Sequence, residues 1–340
     1  MIKIDGSSGE GGGQIVRTAL TLSCITSTPI EIHHIRANRN QGGLRPQHLA
    51  CVQAAAQICA AEVTGDYVGS HALTFVPGHP PKAGEYQWDI KTAGATTLLL
   101  QTVLLPLAMA EGSSTISAIG GTHVPNSPSG HYLRDVYAPM LIQSGVEVFI
   151  SLERYGWYPK GGGEITASLE GWSQLHSQNL LERGELERVI GVGLVSKLPV
   201  HIPKRLSSHA EKTLSFLNVP LDIRAERDAQ ALSAGAGVYL TAEYSNGRAG
   251  FSASGERGVP SEDVAEEATF ALQVFDAGNA SVDKYLADQL VLMLALAEGE
   301  SQFITPEVTQ HLETNCRVIR HFIDRAIHVD NATGRVRIEG

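Results

Sequence analysis

The chain has 340 residues, 43% of them hydrophobic and 18% charged, with a formal net charge of −10. That length allows a large core, in two domains or one elaborate one. The acidic balance argues against a generic nucleic-acid coat or a binder of anionic membranes, so any nucleic-acid contact is expected from a few clustered arginines touching few phosphates.

Read in chain order, Ile2–Asp5 is a short strand running into a loop with five glycines, and a helix is predicted over 14–26 with Ile15, Ala19, Leu22 and Ile25 on one face. Gly11, Gly12 and Gly13 let the backbone approach a ligand closely, and the helix behind them offers unpaired N–H groups and a positive dipole end. That combination suits a phosphate or carboxylate. Glu10 inside the loop would repel a bare phosphate, which points to a bridging metal ion, and Arg17 lies one turn into the helix. The loop matches neither common nucleotide-binding glycine pattern, and a purely structural tight turn is the competing reading.

A strand at 29–36, a polar loop at 37–46, a helix at 47–61 and a hairpin at 62–76 follow. The same order recurs: strand 86–91, helix 96–110, strand 114–119, a Gly/Pro/Asn loop, helix 131–144 and hairpin 146–169. The period is roughly 85 residues. A third copy is marked by Ala295-Leu296-Ala297-Glu298-Gly299, which echoes Ala108-Met109-Ala110-Glu111-Gly112 with the two glycines 187 residues apart. One period leaves about 100 residues over, so a small βαββα domain is expected as an insertion. The expected division is 1–182, 183–276 (the insert) and 277–340, with a helix at 314–326 in the third copy.

Four cysteines, Cys24, Cys51, Cys59 and Cys316, form no C-x-x-C pair and read as buried free thiols of a reducing compartment. No basic segment followed by an apolar core opens the chain, and the apolar run 98–110 is broken by Gln101 and Pro106 and is too short to span a bilayer. A soluble, cytoplasmic protein with no membrane partner is expected.

Three constellations carry chemistry. His311 stands just before a predicted helix, with Thr314 or Asn315 as its cap; an imidazole beside that positive dipole end is a usable neutral nucleophile, against the background of surface histidines. Tyr285, Asp288 and Gln289 share a helix face and suit a purine base and ribose hydroxyls, against a solvated polar face. Arg36, Arg39, Arg45 and Gln47 lie on or beside one loop and suit phosphate oxygens, against an ordinary charged loop. The hairpin tip with Trp157 and Tyr158 suits base stacking less well than it suits packing.

These segments resemble the RNA 3′-terminal phosphate cyclases. The resemblance is carried by Asp5-Gly6 with Gly9-Glu10-Gly11-Gly12-Gly13-Gln14 and Arg17, by Arg36, Arg39 and Gln47-His48, and by Ala93-Gly94-Ala95-Thr96 with Gln101. Gly120-Gly121-Thr122, Gly161-Gly162-Gly163, 285–290 and 311–315 continue it in the same order. The family fold it implies is α+β: three repeated βαβαββ-like units forming a large domain, with a smaller α/β domain inserted before the third.

The implied reaction converts an RNA 3′-phosphate end to a 2′,3′-cyclic phosphodiester with ATP and a divalent metal (Mg or Mn). By the resemblance, His311 is the nucleophile that takes AMP from ATP, and Glu10 is the metal ligand. Gln101, Pro128, Tyr285, Asp288 and Gln289 form the AMP pocket, while Arg17, Arg36, Arg39 and Gln47 grip the RNA-end phosphate. The chain departs from the family at His123, where an aspartate is frequent, and around Arg45. Two other functions are compatible with such repeats. One is a cyclase-like ribosome-assembly factor without catalysis, which would lack the nucleophilic histidine. The other is an enolpyruvyl transferase, which would bind phosphoenolpyruvate instead of ATP.

Overall fold

The structure, a computed structural model, describes residues 1–172 and 174–340. Among the described residues, four four-stranded sheets carry the helices. The first unit contains β1 (Ile2–Asp5), α1 (Gln14–Thr26), β2 (Ile30–His33), α2 (Pro46–Cys59), β3 (Glu62–Thr64) and β4 (Leu73–Val76). Its sheet order is β1-β2-β4-β3, with β1 and β2 parallel and the other pairs antiparallel. β2 and β4 alternate buried and half-buried residues, as strands with one face on helices do.

The second unit repeats that order with β5 (Glu85–Asp89), α3 (Thr96–Ala108), β6 (Ser114–Gly120), a helical stretch 130–143, β7 (Val148–Arg154) and β8 (Gly163–Leu169). The stretch consists of α4 (Gly130–Tyr132), a π-turn Leu133–Tyr137 and α5 (Ala138–Gln143). The sheet order is β5-β6-β8-β7, again with one parallel and two antiparallel pairs.

The third unit begins with β9 (Asn179–Leu180), which pairs in parallel with the strand Ser301–Ile304. Its remaining elements come only after the insert: α8 (Lys284–Leu296), β14 (Ser301–Ile304), α9 (Gln310–Ile319), β15 (Ile327–Asp330) and β16 (Arg335–Ile338). Order and pairing match the other two units. The extra segment therefore enters after the third unit's first strand. Between them lie β10 (Leu186–Ser196), α6 (His201–Leu214), β11 (Leu221–Asp228), β12 (Gly235–Tyr244), β13 (Gly247–Ser254) and α7 (Ser261–Ala277). Their sheet order is β11-β10-β12-β13, with α6 and α7 packed on one face.

One apolar core runs through the three units and a second lies inside the insert. Large side chains such as Phe75 and Phe303 are fully buried, and truncating either to alanine would cost about 3–5 kcal/mol. A third cluster, Trp157 and Tyr155 with Val192, Leu194 and Tyr239, joins the hairpin tip of unit two to the insert's sheet. Trp157 is thus a packing residue, anchored by its indole N–H donating to Ser196 Oγ at 2.8 Å. All four cysteines are free and buried. Among the described residues no helix is long and apolar enough to cross a membrane.

α3 explains how the units hold together. It is buried nearly all round and contains Pro106, which lacks the N–H that would bond the carbonyl of Thr102. The hydroxyl of Thr21 on α1 donates to that carbonyl at 2.8 Å, so the defect in one helix becomes a bond between two units. α1 also packs on α9, and α9 on α8. These contacts bring the N-terminal ends of helices from all three units to one region.

Candidate active site

The glycine loop between β1 and α1 is shaped by left-handed residues. Gly9 (φ +59°) and Gly11 (φ +60°) adopt conformations that side chains disfavour, and a Cβ on Gly9 would collide with Thr314 Oγ1 from α9. α1 starts at Gly13 without a side-chain cap, leaving its first N–H groups without that partner. Gly13 abuts His48, whose imidazole is pushed down to about 3 by burial and then by the charges of Arg17, Arg36 and Arg45. His48 Nδ1 accepts from Arg45 N–H at 3.0 Å, which closes the start of α2 against the glycine loop.

The helix bearing His311 begins earlier than its sequence suggests. The 314–326 expectation is corrected to Gln310–Ile319, and the cap is Thr309, whose Oγ1 accepts from Leu312 N–H at 3.0 Å. His311 therefore sits in the first turn rather than in the preceding loop. The correction has a local cause: Thr309 supplies the N-cap oxygen, so Thr314 and Asn315 are free to face inward, and both are buried.

His311 Nδ1 lies 2.7 Å from Glu10 Oε2, across 301 residues of sequence. Glu10 also pairs with Arg39. Burial lowers the imidazole pKa from its ordinary 6.5, and the nearby charges of Arg17 and Arg39 lower it further, so the ring is neutral at physiological pH. Glu10 Oε2 and His311 Nδ1 face each other at 2.7 Å without hydrogen-bond geometry, and these two atoms and Thr314 Oγ1 are buried with no other polar partner. Buried polar atoms are nearly always satisfied, so a cluster of unsatisfied ones beside a glycine loop has the character of a ligand site. Among the described residues no group of three or more His, Cys, Asp or Glu side chains is placed to hold a metal. The donor set fits a hard cation held by one carboxylate together with phosphate oxygens.

A second group adjoins the first. Arg17, Gln101, Asp288 and Gln289 line one small cavity with Gln14 and Asn315. Gln101 Nε2 donates to Gln289 Oε1 at 2.5 Å, and Gln289 Nε2 to the Tyr285 carbonyl at 2.7 Å. Arg17 is buried, and desolvation lowers its pKa. Burial raises the Asp288 carboxyl to about 8, against the opposing pull of Arg17. The Tyr285 ring is exposed at the edge, with Lys284 Nζ 5.4 Å from its centre. Pro128 is tied to α3 by Thr97 Oγ1, which donates to its carbonyl at 2.8 Å one turn from Gln101.

Two expected residues stand apart. The Arg36 guanidinium donates to the carbonyls of Gln41 at 2.8 Å and Gly43 at 3.1 Å, so it holds its own loop. Gln47 accepts from the Ala95 N–H at 3.3 Å, at the start of α3. The sequence offers Asn315 only as a possible helix cap, and the structure gives it another place. Its Oδ1 accepts from Thr18 Oγ1 at 2.7 Å and Gln14 Nε2 at 3.1 Å, and its Nδ2 donates to the Asp288 carbonyl at 2.6 Å. One amide thereby pins α1, α8 and α9 together under the site. Its signal was positional only: it lies one turn after His311, facing the same way.

Fold and site together define a repeat-built α+β protein in which a neutral histidine faces an acidic glycine loop at the meeting of three units. The chain belongs to the RNA 3′-terminal phosphate cyclase family, whose profile matches residues 8–329. A protein named RNA 3′-terminal phosphate cyclase from Trichormus variabilis is 47% identical over 344 residues, covering 99% of each chain. Similarly named proteins from Caldivirga maquilingensis and Thermococcus gammatolerans are 43% and 42% identical, covering 99% and 98% of this chain and 97% and 95% of their own. Among solved structures, the enolpyruvyl transferase NikO from Streptomyces tendae aligns with 48% of this chain and 31% of its own at 16% identity, with a TM-score of 0.29. That likeness is too slight to bear on fold or activity.

Proposed function

We propose that this chain is an ATP- and divalent-metal-dependent RNA 3′-terminal phosphate cyclase working through a covalent histidine–AMP intermediate. The observation that carries the reading is the neutral His311 set against Glu10 beside an uncapped helix start, in a chain of the cyclase family.

In this reading Nδ1 of His311 is turned to Glu10, and Nε2 is the attacking atom. It forms a P–N bond to the α-phosphorus of ATP as pyrophosphate leaves. The RNA 3′-phosphate oxygen then takes AMP from the ring and restores the free imidazole. The neighbouring 2′-OH attacks the activated phosphate, loses its proton, and expels AMP as the cyclic diester closes. A divalent cation held by Glu10 would neutralise charge on the phosphates. Gln101, Asp288 and Gln289 of the small cavity, with Tyr285 and Pro128 bonded beside it, are assigned to the adenosine, and Arg17 and Arg39 to phosphate oxygens. Arg36 and Gln47 shape the loop and helix start around that anion site through their backbone bonds. Four buried thiols support a reducing, cytoplasmic location.

Incubation with labelled ATP and Mg2+ or Mn2+ tests the reading. An acid-labile, alkali-stable adenylyl adduct is expected on the wild type and absent from His311→Ala and from metal-free reactions. No adduct on a folded wild type would favour a non-catalytic assembly factor, and thermal stabilisation by phosphoenolpyruvate alone would favour an enolpyruvyl transferase.

A further inference from the structure

A cavity of about 350 Å3 lies between unit two and the open face of the insert's sheet, away from the glycine loop. Its wall includes a column of three rings. His131 stacks on Tyr239 at 5.2 Å and 14° and on Tyr155 at 6.1 Å and 17°. Three cations line it, each already paired: Arg134 with Asp135, Arg188 with Glu243, and Arg224 with Asp222. With Asp135, Asp222 and Glu226 also in the lining, its formal charges balance, which disfavours a bare phosphate and suits a neutral, aromatic ligand.

A hydrogen-bond relay runs through this wall. Gly156 N–H donates to Thr122 Oγ1 at 2.8 Å, Thr122 Oγ1 lies 2.9 Å from His123 Nδ1, and His123 Nε2 lies 2.8 Å from His131 Nδ1. Burial keeps both imidazoles neutral. Thr122 Oγ1 keeps its own proton and a second lone pair, so the relay can run either way: His131 Nε2 is a donor in one direction and an acceptor in the other. His131 is 7% exposed, and its Nε2 has no partner among the described residues. The relay thus ends in an unpartnered ring nitrogen.

The cavity and the Arg17–Asp288 pocket border the same helical stretch: Tyr132 and Arg134 line the first and Tyr137 the second. Tyr132 and Tyr137 are five residues apart, across the π-turn Leu133–Tyr137. Asp283 fastens the two regions: it caps α8, accepts from Tyr132 Oη at 2.9 Å, and accepts from Gly250 N–H of the insert at 3.0 Å. The volume is that of a site for one nucleoside-sized ligand.

We propose that this cavity between unit two and the insert binds one nucleoside of the RNA strand, upstream of the reacting 3′ end. The ring column is its stacking platform, and His131 Nε2 hydrogen-bonds a polar group on the base edge. The inserted segment would then grip the substrate strand. This inference rests on the proposed cyclase reading.

Site-specific photocrosslinking tests it on the intact wild-type protein. A 3′-phosphorylated oligoribonucleotide carrying 4-thiouridine at the second, third or fourth position from the end is irradiated with the protein, and adducts are mapped. The expected result is an adduct on a peptide containing Tyr155 or Tyr239 from one of these positions. His131→Phe, which keeps a ring but removes the ring nitrogens, should bind that oligonucleotide roughly tenfold more weakly. Cyclisation without any cavity adduct overturns the site while leaving the cyclase reading intact; absence of cyclisation by the wild type overturns both. Labelling of the cavity by free 4-thiouridine monophosphate but not by the strand reassigns it to a free nucleotide and overturns the strand-binding role.

Discussion

Two residues of the site hold protonation states set by burial, and each makes a measurable prediction. His311 is kept neutral below its ordinary 6.5 by burial and by Arg17 and Arg39. The acid limb of adduct formation should therefore be centred below 6.5. Arg39→Ala removes one of those charges and frees Glu10, so the acid limb should move to higher pH in a single-turnover profile. Asp288 behaves oppositely. Its folded carboxyl is raised from 3.8 to about 8, so within that window the folded chain holds a proton that the unfolded chain has lost. Stability must then fall as pH rises through the window. Asp288→Asn should flatten that part of the melting-temperature profile and raise the melting temperature most near its upper end, while weakening ATP binding. A wild-type melting temperature that rises with pH there would contradict this account.

At the level of elements, two helix starts govern the site. Thr309 caps α9, and Thr309→Ala should cost about 1 kcal/mol of stability in denaturant unfolding. Adduct formation should slow as well, because the first turn of α9 carries His311. Gly9 sets the other approach. Gly9→Ala must strain a left-handed residue and push on Thr314, so it should lower the adduct rate by a larger factor than its effect on stability accounts for. The sequence foretold α1, and it placed most other elements to within a few residues. It failed at β9, two residues long and without a strand pattern, and at the C-terminal hairpin β15–β16, because such short strands are stabilised by their neighbours rather than by their own composition.

For the whole molecule, we propose that 183–276 is a domain with its own cooperativity, carried by 1–182 and 277–340. Its separate core supports this, with Leu206 and Leu272 fully enclosed. Leu272→Ala should cost about 2–5 kcal/mol within that unit. Calorimetry should show an early, separate transition for the variant, with His311 adduct formation retained below it. A single transition shifted as a whole would show that insert and body unfold as one.

Residue type and spacing by themselves determined the threefold repeat, the presence of an insertion and the glycine loop, because helix and strand periodicity and glycine conformations are local properties of the chain; His311 stood out as a nucleophile only through the family resemblance. What the tertiary structure alone decided is which of those residues meet. Glu10, Arg39 and His311 come together through the packing of α1, α3, α8 and α9, whereas Arg36 turns back onto its own loop. The cavity beside His131 is walled by the insert's sheet and by the helical stretch of unit two, and no periodicity records such a contact.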